Sequence, residues 1–269
     1  MATTEETKTL INYRVDNGVA VIEMSDPPAN TYSYEMNQQF DAAILQARMD
    51  DSVYVIVITG AGEKFFCAGA DIKMLQGADP TFKYYFCLHA NEMLLRLENT
   101  PKLVIAAING HCVGGGLEVA MAADIRIARK DAGKVGLPEV NLGVLPGTGG
   151  TQRLSRIVGK SKAIELMVTG STFSFEEAKA LGIVNDIFDV EKENFMARVM
   201  EYARKFCPPN KAAYAVGRIK RAVQSGWEVP LESGLAMERE NQQLLFESDD
   251  AKEGISSYVD KRAAMFTGK

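Results

Sequence analysis

Two glutamates stand where proton chemistry is possible. Glu118 closes the run Gly114-Gly115-Gly116-Leu117-Glu118, and Glu139 follows in Leu137-Pro138-Glu139. Three successive glycines at the start of a helix leave backbone N–H groups open to close approach, and the helix dipole adds to their pull on negative charge. A developing oxyanion would be stabilised there before reaction begins, so the run reads as half an oxyanion hole. Val119, Ala120, Met121, Ala122 and Ala123 continue the helix with apolar residues almost all round. Such a helix is buried, and its glutamate faces a cavity or bears a desolvation cost that raises its pKa toward acid–base work.

Plainer roles fit the same residues. Carboxylates favour the first turn of a helix, and glycines let a helix pack closely on a sheet. Pro138 followed by Glu139 also resembles an ordinary helix start. On the residues alone both readings stand.

Other chemistries lack their residues. Gly159-Lys160-Ser161 ends like a phosphate-binding loop, but Leu154 stands where that motif needs glycine. Gly147-Thr148-Gly149-Gly150 imitates a dinucleotide loop, yet the third glycine would fall on Gln152. The two histidines, His89 and His111, sit in no metal-ligand spacing, so no metal is expected, and no GxSxG marks a serine nucleophile.

The elements that must position the glutamates follow from pattern. Residues 10–15 and 19–24 are β-prone and flank Asp16-Asn17-Gly18, a hairpin signal. Ser33 is placed to cap a helix running to about Met49, with Met36, Phe40, Ala43, Ile44 and Ala47 at helical spacing. Apolar strands are expected at 53–58, 103–108 and 124–128, with a helix over 81–97. The aromatic residues Phe82, Tyr84, Tyr85 and Phe86 on that helix read as core. Recurrence of strand, strand, helix suggests stacked turns of a superhelix, with an open α/β sheet as the alternative. Helices are expected at 192–206, 211–225, 231–246 and 249–266, which divides the chain into an α/β part, 1–190, and a helical part, 191–269.

Composition bounds the rest. The chain has 269 residues, 46% of them hydrophobic and 24% charged, which is ordinary for a compact folded protein. A net charge of -5 without a basic run argues against nucleic acid as the main partner. No apolar run approaches the roughly 20 residues of a membrane span. Residues 1–8 are polar and acidic, unlike a secretory or organellar leader, so a cytoplasmic protein is expected. Cys67, Cys87, Cys112 and Cys207 are scattered and expected to be free.

Four motifs follow in order along the chain: Phe66 to Lys73 (FCAGADIK), Gly114 to Glu118, Leu137 to Glu139, and Leu145 to Leu154 (LPGTGGTQRL). Together they resemble the crotonase, or enoyl-CoA hydratase/isomerase, family. The resemblance implies a right-handed superhelix of ββα units with a helical C-terminal trimerisation region, acting as a homo-oligomer, a trimer or dimer of trimers. It implies that the N–H groups of Ala70 and Gly115 hold the thioester oxygen, and that Glu118 and Glu139 are the catalytic pair of a hydratase. Glu118 would activate water and protonated Glu139 would deliver a proton, although the roles could be shared or reversed.

Carried over in the same way, Ala68, Ala70, Asp71, Ile72, Lys73 and Gly115 contact the substrate's coenzyme A portion, and Tyr258 and Lys261 reach the coenzyme A of a neighbouring subunit. Coenzyme A enters as part of an acyl-CoA substrate, and no separate cofactor is implied. The implied reaction adds water across the α,β double bond of an enoyl-CoA in fatty-acid or related acyl-CoA degradation. Double-bond isomerisation and a non-catalytic RNA-binding role are the alternatives. One departure stands out: the loop from Pro27 to Tyr34 reads PPANTYSY, where many relatives have Asn followed by Ala and Leu.

Overall fold

A computed structural model describes residues 8–269, so the polar start read at residues 1–8 lies outside the described residues except for Lys8. β1 (Ile11–Asp16) and β2 (Val19–Met24) form the expected antiparallel hairpin. Asn17 and Gly18 both take positive φ at its tip, which is why that pair makes the turn. α1 (Tyr34–Met49) starts at Ser33, whose hydroxyl accepts from the Met36 N–H, and it buries all five apolar positions named above.

From there each turn of chain lays one strand in a large sheet, one in a small sheet, and then a helix. The second turn is β3 (Val55–Gly60), β4 (Phe65–Cys67), α2 (Ile72–Gly77) and α3 (Pro80–Glu98). The third is β5 (Leu103–Ile108), β6 (His111–Val113) and α4 (Gly115–Met121). β7 (Ile125–Arg129) and β8 (Val135–Gly136) begin the fourth, followed by a 3-10 turn at Glu139–Leu142 and helices α5 (Gly150–Val158) and α6 (Lys160–Thr169). β9 (Thr172–Phe173), α7 (Phe175–Ala180) and β10 (Asp186–Phe188) complete the α/β part.

The large sheet runs β1-β2-β3-β5-β7-β10 and the small one β4-β6-β8-β9. From β3 to β7 and from β4 to β8 the strand numbers advance by two, because each turn visits both sheets. The first turn conforms through one residue: Tyr32 makes a parallel bridge to Ala70, just past β4.

The uniform apolar strands have a simple cause, since both faces of the large sheet are covered. Ile56, Ile58, Val104 and Ala106 face the core beneath the small sheet, while Val55, Val57, Ile105 and Ala107 alternate to the opposite face. That face is closed by α8 (Lys192–Arg204), through Phe195, Val199, Met200 and Ala203. The first helix beyond residue 190 is thus part of the core.

α9 (Ala213–Gly226), α10 (Leu231–Glu247) and α11 (Asp249–Val259) follow. The helix expected over 249–266 stops at Val259. Lys261 takes a positive φ, and the tail doubles back so that the N–H groups of Met265, Thr267 and Gly268 reach the carboxylates of Glu253 and Asp250. The aromatic expectation on α3 also needs correction. Phe86 is buried, but Tyr84 and Tyr85 are 64% and 60% exposed, because their side of α3 is left uncovered by this chain. The four cysteines are free, as expected.

Candidate active site

α4 begins at Gly115 after Gly114, which holds φ at 55° and turns the chain from β6 into the helix. The turn exposes the Gly115 N–H. Opposite it, Gly69 at φ 91° brings the loop after β4 close enough that a Cβ there would lie 3.1 Å from the Gly115 nitrogen. The bridge to Tyr32 uses the Gly69 carbonyl and the Asp71 N–H, leaving the Ala70 N–H between them unused. Among the described residues neither the Ala70 nor the Gly115 N–H is taken by a backbone acceptor outside the regular elements.

Glu118 projects from the first turn of α4 and is almost wholly buried. Its Oε1 accepts from the backbone N–H groups of Thr148 (2.8 Å) and Gly150 (2.7 Å), and its Oε2 accepts from the Thr148 hydroxyl. Burial pushes its pKa up, opposed first by the Thr148 hydroxyl, then by the two N–H donors and the Arg153 charge. The Gly147 to Gly150 segment that imitates a dinucleotide loop does bind an anion at a helix start, but the anion is this protein's own carboxylate.

Glu139 opens the 3-10 turn, with Pro138 as its cap rather than its first helical residue. Its Oε2 is buried and without a hydrogen-bond partner among the described residues. Burial, then the charge of Glu118, raises its pKa to about 7. One carboxyl is therefore supplied with three donors that favour its ionised form, while the other has no partner at its buried Oε2 and keeps its proton to near neutrality.

Both glutamates line one cavity of about 270 Å³ together with Tyr32, Ala68, Ala70, Ile72, Gly115 and Thr148. Lys83 from α3 and the apolar side chains of Leu75, Leu142, Val144 and Leu145 complete much of the wall. Asp71 and Lys73 stand beside the cavity. The Asp71 carboxylate caps α2 by accepting from the N–H groups of Lys73 (2.6 Å) and Met74 (3.2 Å), and the Lys73 side chain is exposed. Tyr258, 86% exposed, lies on α11 and Lys261 just beyond it, and neither lines this cavity.

Tyr32, Thr148 and Lys83 were not singled out by the sequence reading. Thr148 carried a signal, its place in the glycine-rich loop. Tyr32 carried only its place in the departing loop, and Lys83 carried none, because a loop tyrosine and a helix lysine say nothing of where they point until the turns are stacked.

The profile of the enoyl-CoA hydratase/isomerase family matches residues 14–269. The chain belongs to that family. It is 39% identical to a probable enoyl-CoA hydratase of Bacillus subtilis over 96% of this chain and 99% of the relative. It is 38% identical to a short-chain-enoyl-CoA hydratase of Clostridium acetobutylicum over 91% and 92% of the two chains. A crystal structure of an enoyl-CoA hydratase from Geobacillus kaustophilus superposes with a TM-score of 0.94 at 44% identity, covering 97% of this chain and 98% of the other. The family accounts for the two-sheet spiral, and membership agrees with the four motifs read from sequence. No described helix is long and apolar enough to cross a membrane.

Proposed function

We propose that the protein is an enoyl-CoA hydratase that adds water across the α,β double bond of an enoyl-CoA to give a 3-hydroxyacyl-CoA. The observation that carries this reading is the contrast between two carboxyls in one cavity, Glu118 held by three donors and Glu139 by none at Oε2. Hydration needs both states at once. Glu118, as carboxylate, takes a proton from water while the water oxygen bonds to C3. The electron pair of the double bond moves onto the thioester oxygen, where the N–H groups of Ala70 and Gly115 receive the negative charge. Glu139 then gives its proton to C2 as the carbonyl re-forms. Exchange with solvent returns each carboxyl to its starting state.

Ala68 and Ile72 in this reading border the path of the pantetheine arm, Lys73 is free to meet a phosphate as a point charge, and Asp71 serves through the cap that shapes α2. Coenzyme A enters as part of the substrate and no separate cofactor takes part. A homo-oligomer in a reducing compartment fits the free cysteines and the exposed Leu231, Phe246, Ile255 and Val259 on α10 and α11, which another copy could cover.

The direct test is to mix the protein with enoyl-CoA thioesters of rising chain length, follow loss of the conjugated-enone absorbance, and identify the product. Hydration lost by a factor of about 10² to 10⁴ in Glu118→Gln and in Glu139→Gln, with coenzyme A binding retained, is expected. A shifted double bond without added water would make the enzyme an isomerase instead.

A further inference from the structure

We propose that Tyr32 is a positioning residue for this reaction, holding the Thr148 hydroxyl so that its proton points at Glu118. The inference rests on the hydratase reading above and concerns a side chain from the loop after β2, outside both carboxyl-bearing segments.

Tyr32 is fixed from every side. Its backbone N–H donates to the Gly69 carbonyl at 3.0 Å, and its own carbonyl accepts from the Asp71 N–H at 3.1 Å. Its ring stacks on Phe86 with centroids 5.7 Å apart. The ring also lies directly over Gly115, where a Cβ would overlap it. One residue thus touches the loop bearing Ala70, the glycine bearing the second oxyanion donor, and, through its phenol, the partner of the base.

Proton counting gives the contact a direction. The Tyr32 hydroxyl lies 3.0 Å from Thr148 Oγ1. Thr148 has one hydroxyl proton, and an ionised Glu118 can only accept. The Thr148 proton therefore goes to Glu118 Oε2, and Oγ1 in turn accepts from Tyr32. Burial, then the Glu118 charge, keeps the phenol well above its ordinary pKa, so the donor is protonated throughout the working range. The chain runs one way, from Tyr32 to Thr148 to Glu118, and each link supports the carboxylate form of the base.

The remaining charged and titratable groups near Glu118 do not replace that link. Glu139 and Lys83 share the cavity, the Lys83 charge acting on Glu139, while Arg153 acts on Glu118 through space and its Nη1 donates to the Thr148 backbone carbonyl at 3.2 Å, not to the hydroxyl. Cys87 carries a raised pKa and is neutral at pH 7. A ring that only filled space over Gly115 would need no hydroxyl, and Tyr32→Phe separates the two roles.

The experiment compares wild type, Tyr32→Phe, Thr148→Val and the double variant in hydration of crotonyl-CoA from pH 5 to 9, with melting curves for all four. Tyr32→Phe should lower kcat about tenfold with little change in KM, the worth of one hydrogen bond in a charged chain. The acid limb of kcat/KM should move to higher pH, because the carboxylate loses support. Thr148→Val should lose more, and adding Tyr32→Phe to it should lose nothing further. The carboxylate stretching band of substrate-free protein, assigned with Glu118→Gln, should report the same upward shift in Tyr32→Phe without turnover. An unmoved band and acid limb in a folded Tyr32→Phe protein, or a full additional loss in the double variant, overturns the inference. A wild type with the expected band shift in Tyr32→Phe but no hydration of any enoyl-CoA would instead overturn the hydratase reading and leave the hydrogen-bond chain supported.

Discussion

Arg153 and Glu98 meet through two parallel hydrogen bonds of 2.7 Å, Nε to one carboxylate oxygen and Nη2 to the other, with little of either side chain exposed. The remaining nitrogen, Nη1, holds the Thr148 carbonyl. The ion pair thus ties the end of α3 to the loop that supplies every donor to Glu118. Forked pairing of this kind fixes position as well as charge.

Removing Glu98 should therefore affect stability and catalysis together. Glu98→Ala leaves the guanidinium mostly buried and unpaired, at a cost of about 3 kcal/mol. A lowered melting temperature and a reduced kcat are expected together. Full activity with a lowered melting temperature would show that the Thr148 loop holds its shape without the pair.

The pH profile follows from Glu139. In the proposed hydration Glu139 is the acid and must carry its proton, so activity should decline as pH rises through about 7. The same shift links to folding. The folded value is raised above the ordinary 4.5, so the stability tied to the protonated form is present below about 4.5 and is lost as pH rises through about 7. Glu139→Gln imitates the protonated form permanently. Its melting temperature should exceed that of wild type at pH 8 and approach it at pH 5, while its activity is lost at both. Equal melting differences at the two pH values would mean that Glu139 is not shifted upward by its surroundings.

What was legible in the sequence was what is local or periodic. Asp16-Asn17-Gly18 demands a turn wherever it occurs, and the two-sided burial of the large sheet shows as unbroken apolar runs. Glu118 could be picked out because three glycines and an apolar helix surround it in the chain itself. Tyr32, Thr148 and Glu118 are far apart in sequence and meet only when successive turns stack, so no window of residues contains their relationship. The end of α11 was missed for a similar reason: the amphipathic pattern continues to Phe266, but Asp250 and Glu253 capture the returning tail.

A second buried pair joins α9 to the sheet. Lys220 Nζ lies 2.8 Å from Asp124, with the lysine side chain 5% exposed, and it also donates to the carbonyls of Leu97 and Lys102. Burial lowers the lysine pKa and raises that of the aspartate, the sign of a pair held against a desolvation cost. Lys220→Met should destabilise by about 3 kcal/mol by leaving the Asp124 charge without its ion-pair partner, with the Val104 N–H still donating to it, and adding Asp124→Asn should recover part of that loss. Urea unfolding of the two variants measures the difference, and a double variant less stable than Lys220→Met would assign the cost to lost packing instead.

The contact of Tyr32 with Gly115 allows the proposed oxyanion donor to be tested without removing its N–H. A methyl group at residue 115 would enter the Tyr32 ring, and that ring has little freedom, being stacked on Phe86 and anchored through its backbone to Gly69 and Asp71. Gly115→Ala should therefore overpack the site, destabilise the fold by about 1–3 kcal/mol, and displace the Tyr32 hydroxyl from Thr148. Crotonyl-CoA hydration should fall even though both N–H groups remain. Combining Gly115→Ala with Tyr32→Ala opens the space, so the melting temperature of that double variant should match Tyr32→Ala alone. If it does, any activity still missing relative to Tyr32→Ala comes from the new methyl group crowding the thioester at the N–H. A Gly115→Ala protein that melts and hydrates like wild type would show instead that the ring yields, and that the site does not depend on the fixed packing of Tyr32 against Gly115.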